Sequence, residues 1–245
     1  EVLEKMYSFA SGYHDSLTKP GQRQDRFRSR AQEQFDQVKS LCKPGRLLDV
    51  GCSVGFFLAF AKRAGWDVSG VEFSKDSADF AREQLGNVIL DGAIEDANFP
   101  AEEFDLVTMW DVIEHVSSPA SALAKAAHLL KKNGMLVIST PNIDGIFPKA
   151  SLPFASVLKH WPHPEPPYHL YQFSAKTLSR MLEKFGFQVD AVKYESIPLG
   201  YSFGDFRALL KSPFRLAYAA LFAPLVKIGP WVGAGDSMVV FARKV

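Results

Sequence analysis

Apolar and polar positions alternate along this chain with two different periods, and the switch between them marks the elements. Residues 22–42 are mostly polar, with Phe27, Ala31, Phe35, Val38 and Leu41 spaced three or four apart, which predicts a lead-in helix with one apolar face. Short apolar runs of strand length follow at Arg46–Val50, Val68–Val71, Val88–Leu90, Phe104–Trp110 and Met135–Thr140. Segments of helical character separate them at 56–65, 75–86 and 119–132. Strand and helix in alternation predict a parallel sheet, because a parallel connection must cross back over the sheet face. Pro119 is placed to open the last of these helices. Lys131 and Lys132, followed by Asn133-Gly134, have the cationic last turn and the stop expected at its end.

Beyond the fifth strand the rhythm breaks. Residues 141–174 hold seven prolines and many aromatics, then a helix is expected at 175–186, closed by Gly186, and a strand at Phe187–Glu195. A second irregular or helical stretch, 196–236, precedes a final strand at Ser237–Ala242. The fold class expected is α/β: a seven-stranded sheet in three layers, helices on both faces and the last strand antiparallel. One domain is expected over 1–245: a lead-in (1–42), a ligand-binding core (43–140), a cap insertion (141–174), a return to the core (175–195), a lid insertion (196–236) and the final strand (237–245). Ligands of open α/β sheets lie beyond the carboxyl ends of the strands, so both insertions are expected to cap that crevice.

Composition narrows the class. The 245 residues are 47% apolar, enough for a buried core, and Lys+Arg 28 against Asp+Glu 27 leaves a net charge of +1. That balance disfavours nucleic acid as the main partner. Cys42 and Cys52 form neither a disulfide framework nor a thiolate zinc pattern, which fits a reducing, cytoplasmic setting. The longest apolar run, Leu216–Val226, is too short to span a bilayer and contains Pro224. The chain begins at Glu1 and shows no signal-peptide core, and the missing initiator methionine points to residues upstream or a trimmed end.

The candidate ligand motif is Leu47-Leu48-Asp49-Val50-Gly51-Cys52-Ser53-Val54-Gly55-Phe56-Phe57, a buried strand that enters a glycine-bearing turn and then a helix. A dinucleotide fingerprint would need glycines at 51, 53 and 56, and a nucleoside-triphosphate loop would need a following Lys-Ser or Lys-Thr; neither is present. The run Asp-Val-Gly-Cys-Ser-Val-Gly instead resembles the first motif of the class I S-adenosylmethionine-dependent methyltransferases, with Ser53 where the middle glycine is usual. Serine is small enough for the turn to be expected to survive.

Further segments extend the resemblance over roughly residues 40–195, toward the small-molecule branch of that family. It implies a Rossmann-like fold, S-adenosylmethionine as cofactor and S-adenosylhomocysteine as its product. Glu72, about twenty residues past Gly51, is implied to accept ribose hydroxyls, with Phe73 available to cover the adenine face. Asp91-Gly92-Ala93-Ile94-Glu95-Asp96 resembles the adenine-edge loop, but the usual Asp falls on Ala93, leaving the backbone of Ile94, with Glu95, to read the ring. Phe104–Val116 resembles the fourth strand and its loop, placing Trp110, Asp111 and His115 near the methionine tail. The implied cofactor-binding set is therefore Asp49, Gly51, Cys52, Ser53, Gly55, Glu72, Phe73, Ala93, Ile94, Glu95, Trp110 and Asp111. Residues 169–174, His-Leu-Tyr-Gln-Phe-Ser, resemble the approach to the sixth strand. Glu165-Pro166-Pro167-Tyr168 looks like the Pro-Pro-Tyr box of amino-methyltransferases but lies in the wrong place, because that box follows the fourth strand.

Methyl transfer to a hydroxyl needs a base of suitable pKa, and imidazole is the natural choice. His115 and His169 are the catalytic candidates, each set against a purely structural role in its loop. His160, His163 and His169 lie in a proline-rich loop with only Glu165 nearby, so no metal is expected. Arg23, Arg26, Arg28 and Arg30 read as a solvated helix face rather than an anion site, and Tyr7 and Tyr13 either close over the cofactor or lie at the surface. The expected function is methylation of a small-molecule acceptor, most simply a hydroxyl of a metabolite, saccharide or lipid head group. The alternatives are N- or C-methylation, or a cofactor-binding or peripheral membrane protein of little activity. Residues 214–231, apolar with Arg215 and Lys227, read either as a lid helix or as a membrane-contacting segment. The oligomeric state is open.

Overall fold

The computed structural model describes residues 21–155, 168–203 and 212–245. Tyr7, Tyr13, His160, His163 and Glu165–Pro167 lie outside them. The described residues fall into two compact units, the first made of 21–110, 120–137 and 243–245, the second of 111–119 and the described part of 138–242.

The first unit opens with helix α1 (Gln22–Val38), which buries Ala31, Phe35 and Val38 as the three-and-four spacing predicts. Its Phe35 ring meets Phe57 edge-on at 6.3 Å, docking α1 on helix α2 (Phe56–Arg63). Arg23, Arg26 and Arg30 face solvent as expected, and Arg28 rests its guanidinium 5.5 Å from the Phe56 ring centre. Strands β1 (Arg46–Val50), β2 (Asp67–Glu72), β3 (Ile89–Asp91) and β4 (Phe104–Trp110) pair in parallel around α2 and helix α3 (Lys75–Leu85). β1 is central: Leu48 is in register with Ser69 on one side and Val107 on the other. Both of its leucines are fully buried, which is why the run reads as continuously apolar rather than alternating.

One boundary departs from expectation. Helix α4 (Pro119–Leu129) begins at the predicted proline but ends three residues before Lys132, and strand β5 (Leu130–Pro141) follows with no intervening loop. Two tertiary contacts override the local signal. The amides of Glu102 and Glu103 donate to the carbonyls of His128 and Leu129, at 3.0 and 2.9 Å, taking the acceptors a longer helix would use. Lys131 is drawn to Asp105, with Nζ 2.8 Å from Oδ2. Asn133 then adopts φ 64° within the strand instead of stopping a helix.

All seven strands follow the order β3-β2-β1-β4-β5-β7-β6, with the last strand antiparallel as the sequence predicts. The second unit contributes helix α5 (Ile146–Ser151), helix α6 (Ala175–Lys184), strand β6 (Phe187–Glu195), helices α7 (Leu199–Phe203) and α8 (Pro213–Ile228), and strand β7 (Ser237–Lys244). Ser174 and Thr177 form a reciprocal capping box that starts α6. The two insertions share one apolar cluster: Phe147 from the first, Phe222 and Val226 from the second, with Leu199, Phe203 and Tyr218 packed around them.

Gly70, inside β2, has no space for a side chain: a Cβ there would stand 2.7 Å from Cys52 Sγ and 2.8 Å from both Ile89 Cδ1 and Leu58 Cδ1. Gly70→Ala is expected to lower stability by roughly 1–3 kcal/mol, the cost of overpacking, read as a fall in the urea unfolding midpoint at unchanged slope.

Candidate active site

The turn after β1 is held together by a buried carboxylate. Glu72, 6% exposed at the end of β2, accepts the Ser53 amide on Oε2 at 2.8 Å and the Ser74 amide on Oε1 at 2.8 Å. One side chain thus ties the β1 turn to the start of α3, where Ser74 caps the helix. The amides of Gly51 and Cys52 both donate to the Val71 carbonyl, at 2.7 and 3.2 Å, so the turn is sewn to β2 by backbone as well. Ser53 takes φ 50°, left-handed backbone that glycine would adopt without cost, so the turn survives the substitution at the expense of some strain. Gly55 (φ 82°) precedes α2, and a Cβ there would meet Leu85 Cδ1 at 2.8 Å; its requirement is therefore packing against α3 as much as ligand approach.

Beside Glu72 lies a second buried acid. Asp49, 2% exposed, accepts the Thr108 hydroxyl at 2.7 Å, the residue opposite it in the β1–β4 register. Burial pushes its carboxyl from 3.8 to about 8, the Thr108 hydrogen bond pulls it back in part, and the Glu72 charge adds to the rise. Burial also raises Glu72, opposed by backbone hydrogen bonds from Ser74, Ser53 and Phe73. Asp49 is consequently protonated at neutral pH. The Cys52 thiol, 5% exposed near both acids, is pushed well above its ordinary value, chiefly by burial, and is inert as a nucleophile.

Around this turn stand the other cofactor candidates of the first unit. Phe73 is 40% exposed, so its ring is not committed to the core. Ala93 precedes a single 3₁₀ turn (Ile94–Asp96), whose leading amides, Ile94 and Glu95, have no acceptor within the turn. Trp110 ends β4 with its ring 5.6 Å from Phe57, and its indole Nε1 is buried without a hydrogen-bond partner.

The second unit gathers the remaining candidates. Asp111 (φ 53°) donates its amide to Ser139, while the Ser139 hydroxyl donates back to Asp111 Oδ1 at 2.8 Å. Glu114, 1% exposed, accepts the Thr140 hydroxyl at 3.0 Å, and its carbonyl takes the amides of Leu170 and Tyr171. His115 sits 2.9 Å through Nδ1 from the Tyr168 carbonyl, and its ring meets His169 edge-on at 4.8 Å. Sequence reasoning named both histidines separately; the fold brings them together with Glu114, which it had not named. Glu114, His115 and His169 each place one donor atom within 4.8 Å of the others, a set that can in principle hold a divalent cation. Their spacing is wider than the roughly 3.4 Å edge of a tetrahedral zinc site, so the side chains would have to close in.

Asp236 was also missed. It accepts the Ile197 amide on Oδ1 at 2.9 Å, its Oδ2 is buried without a hydrogen-bond partner, and burial raises its carboxyl to about 6. It lines a small recess with Thr140, Asn142, His169, Tyr171 and Gln172. The only sequence cue was an acid standing between apolar stretches at the mouth of the last strand.

A methyltransferase domain family model matches residues 21–192. The chain belongs to that family. Its fold is similar to that of an S-adenosylmethionine-dependent methyltransferase from Archaeoglobus fulgidus, with a TM-score of 0.61 at 18% identity over 91% of this chain and 95% of that one. It is similar also to phosphoethanolamine N-methyltransferase 2 of Haemonchus contortus in complex with S-adenosyl-L-methionine, with a TM-score of 0.58 at 17% identity over 88% of this chain and 52% of that one. Among curated relatives, a ubiquinone biosynthesis O-methyltransferase of Photobacterium profundum is 35% identical over 103 residues, 40% of this chain and 44% of that protein. One from Bradyrhizobium sp. is 36% identical over 112 residues, 43% of this chain and 44% of the relative. The matches thus span less than half the length of these relatives.

The methyltransferase family uses S-adenosylmethionine as methyl donor, and the residues present fit that group. The orphaned Trp110 Nε1–H offers a donor, Glu72 keeps acceptor capacity beyond its backbone bonds, and the Phe73 face is open.

Because Asp49 is raised from 3.8 to about 8, its ionisation opposes folding, an opposition absent below the lower value and complete above the higher. Ligand-free protein is expected to lose stability as pH rises through that window. Asp49→Asn keeps an acceptor for Thr108 and should flatten the loss, leaving the variant more stable at pH 9 by a few kcal/mol, about the size of the cost removed, and no more stable at pH 4. Urea unfolding at both pH values measures this.

Proposed function

We propose that this protein moves a methyl group from S-adenosylmethionine to a hydroxyl of a small molecule, with His115 as the base. The bound cofactor supplies an already activated electrophile, so the protein's work is to position the acceptor and take its proton. The observation that carries the reading is the His115–Tyr168 contact. A carbonyl oxygen only accepts, so Nδ1 carries the hydrogen and Nε2 carries the lone pair. The carboxylate of Glu114, with Oε1 4.0 Å from Nε2, favours the imidazolium that forms when a proton arrives. The named O-methyltransferase relatives support the choice of oxygen over nitrogen or carbon.

In the first unit, the proposed cofactor contacts are Asp49, Gly51, Cys52, Ser53, Gly55, Glu72, Phe73, Ala93, Ile94, Glu95 and Trp110, with Asp111 following at the start of the second. Acceptor choice is assigned to 141–174 and 196–236, whose described parts pack as one cluster. Glu72→Ala removes a charge-assisted acceptor and should weaken S-adenosylmethionine and S-adenosylhomocysteine binding alike by about 10- to 100-fold, followed by calorimetry. The reading fails if the unmutated chain binds neither, or binds NAD more tightly.

On a panel of hydroxylated acceptors, His115→Ala should lower turnover by roughly two orders of magnitude or more, with cofactor affinity little changed and the wild-type rate rising with pH through an imidazole-like pKa. If His169→Ala gives that signature and His115→Ala does not, His169 is the base. If neither does, the acceptor is an amine or is already ionised and positioning alone drives transfer.

A further inference from the structure

Helix α8 and the turn after it carry apolar side chains on both sides, and only one side is used. Phe222 and Val226 face inward against Phe147 and its neighbours, and Ala219 is buried as well. Phe214, Leu221 and Ile228, spaced seven apart and so on one line of the helix, are 58%, 61% and 49% exposed. Ala217 and Pro224 fill that line and are exposed too, leaving no polar residue along it. In the turn beyond, Trp231 is 91% and Val232 60% exposed. The surface continues onto Phe154, 45% exposed, whose ring touches Phe222 at 5.6 Å. Single exposed apolar residues need no explanation, but a contiguous set led by a nearly bare tryptophan does.

Charge identifies the occupant. From Ser212 to Gly235 the chain contains Arg215 and Lys227 and no aspartate or glutamate. A segment whose exposed side chains are mostly apolar and whose few charged residues are all basic in sequence matches a bilayer with anionic head groups, where apolar side chains enter the acyl boundary and tryptophan takes the wet interface. No helix among the described residues is long and apolar enough to cross a membrane, so the contact is one of lying on the surface. We propose that the face formed by Phe214, Leu221, Ile228, Trp231 and Val232 docks this protein on an anionic membrane surface. The inference stands apart from the choice of methyl acceptor and from the role of His115.

The test is sedimentation of the whole chain with vesicles of phosphatidylcholine alone and of phosphatidylcholine mixed with phosphatidylglycerol. The protein should pellet with the mixed vesicles and remain largely free with the neutral ones, and high salt should weaken but not abolish the association. Tryptophan fluorescence should shift to the blue on binding in the wild type and not in Trp231→Phe. The double variant Leu221→Lys, Trp231→Ala should bind at least 10-fold more weakly while still taking up S-adenosylhomocysteine in calorimetry, which reports an intact first unit. Trp231→Ala alone should show a smaller loss, and it serves if the double variant fails to fold. No pelleting by the wild type, or pelleting unaffected by these substitutions, overturns the proposal. A wild-type dimer in sedimentation velocity that the same substitutions dissociate also overturns it, by assigning the face to a second copy of the chain.

Discussion

The Glu72 carboxylate is the interaction on which the first unit depends. A buried carboxyl is tolerated only when hydrogen bonds replace the water it has lost, and here backbone amides, those of Ser74, Ser53 and Phe73, replace it. Ser53 belongs to the turn after β1 and Ser74 to the cap of α3. The Glu72 side chain thereby extends, past the last paired residues, the parallel ladder that joins β1 to β2. The left-handed Ser53 belongs to the same bargain, because its amide reaches Glu72 from a backbone conformation that serine adopts only under such constraint. Asp49 pays nothing toward this arrangement and sits behind it, neutral, in a space where a second full charge would be repelled.

Much of this was readable beforehand. The strand boundaries of β1 and β4 match the apolar runs because both strands are covered on their two faces, which keeps most of their positions apolar. Glu72 was found from its distance to Gly51, although its backbone partners could not be, since they depend on a turn geometry that only folding creates. Thr108 shows the opposite failure. A threonine amid Leu106, Val107, Met109 and Trp110 was a visible irregularity, and its meaning appeared only once register placed it against Asp49. The end of α4 was misread for a related reason: the Asn-Gly and lysine signals are real, but Asp105 and the two preceding glutamate amides act on them from elsewhere in the sequence.

In the second unit the pattern of legibility reverses. Its residues were named individually from a resemblance, while their grouping came from contacts between segments more than fifty residues apart, such as His115 with Tyr168. The Pro-Pro-Tyr run had drawn notice for its side chain. What Tyr168 supplies is a backbone carbonyl, a group every residue carries and no motif can advertise. Asp236 lay hidden for a related reason, since the partner of its carboxylate is a backbone amide, that of Ile197.

The absence of any loop between Leu129 and Leu130 gives β5 no slack. Side chains on a strand alternate faces, so its numbering is also an addressing scheme. Ser139 serves Asp111 and the next residue, Thr140, serves Glu114. One residue inserted at that junction would bring Ile138 to Asp111, and one deleted would bring Pro141 to Glu114, so either frame error removes a hydroxyl from one of the two acids. The pair of hydroxyls tolerates no change of length upstream, however conservative in composition.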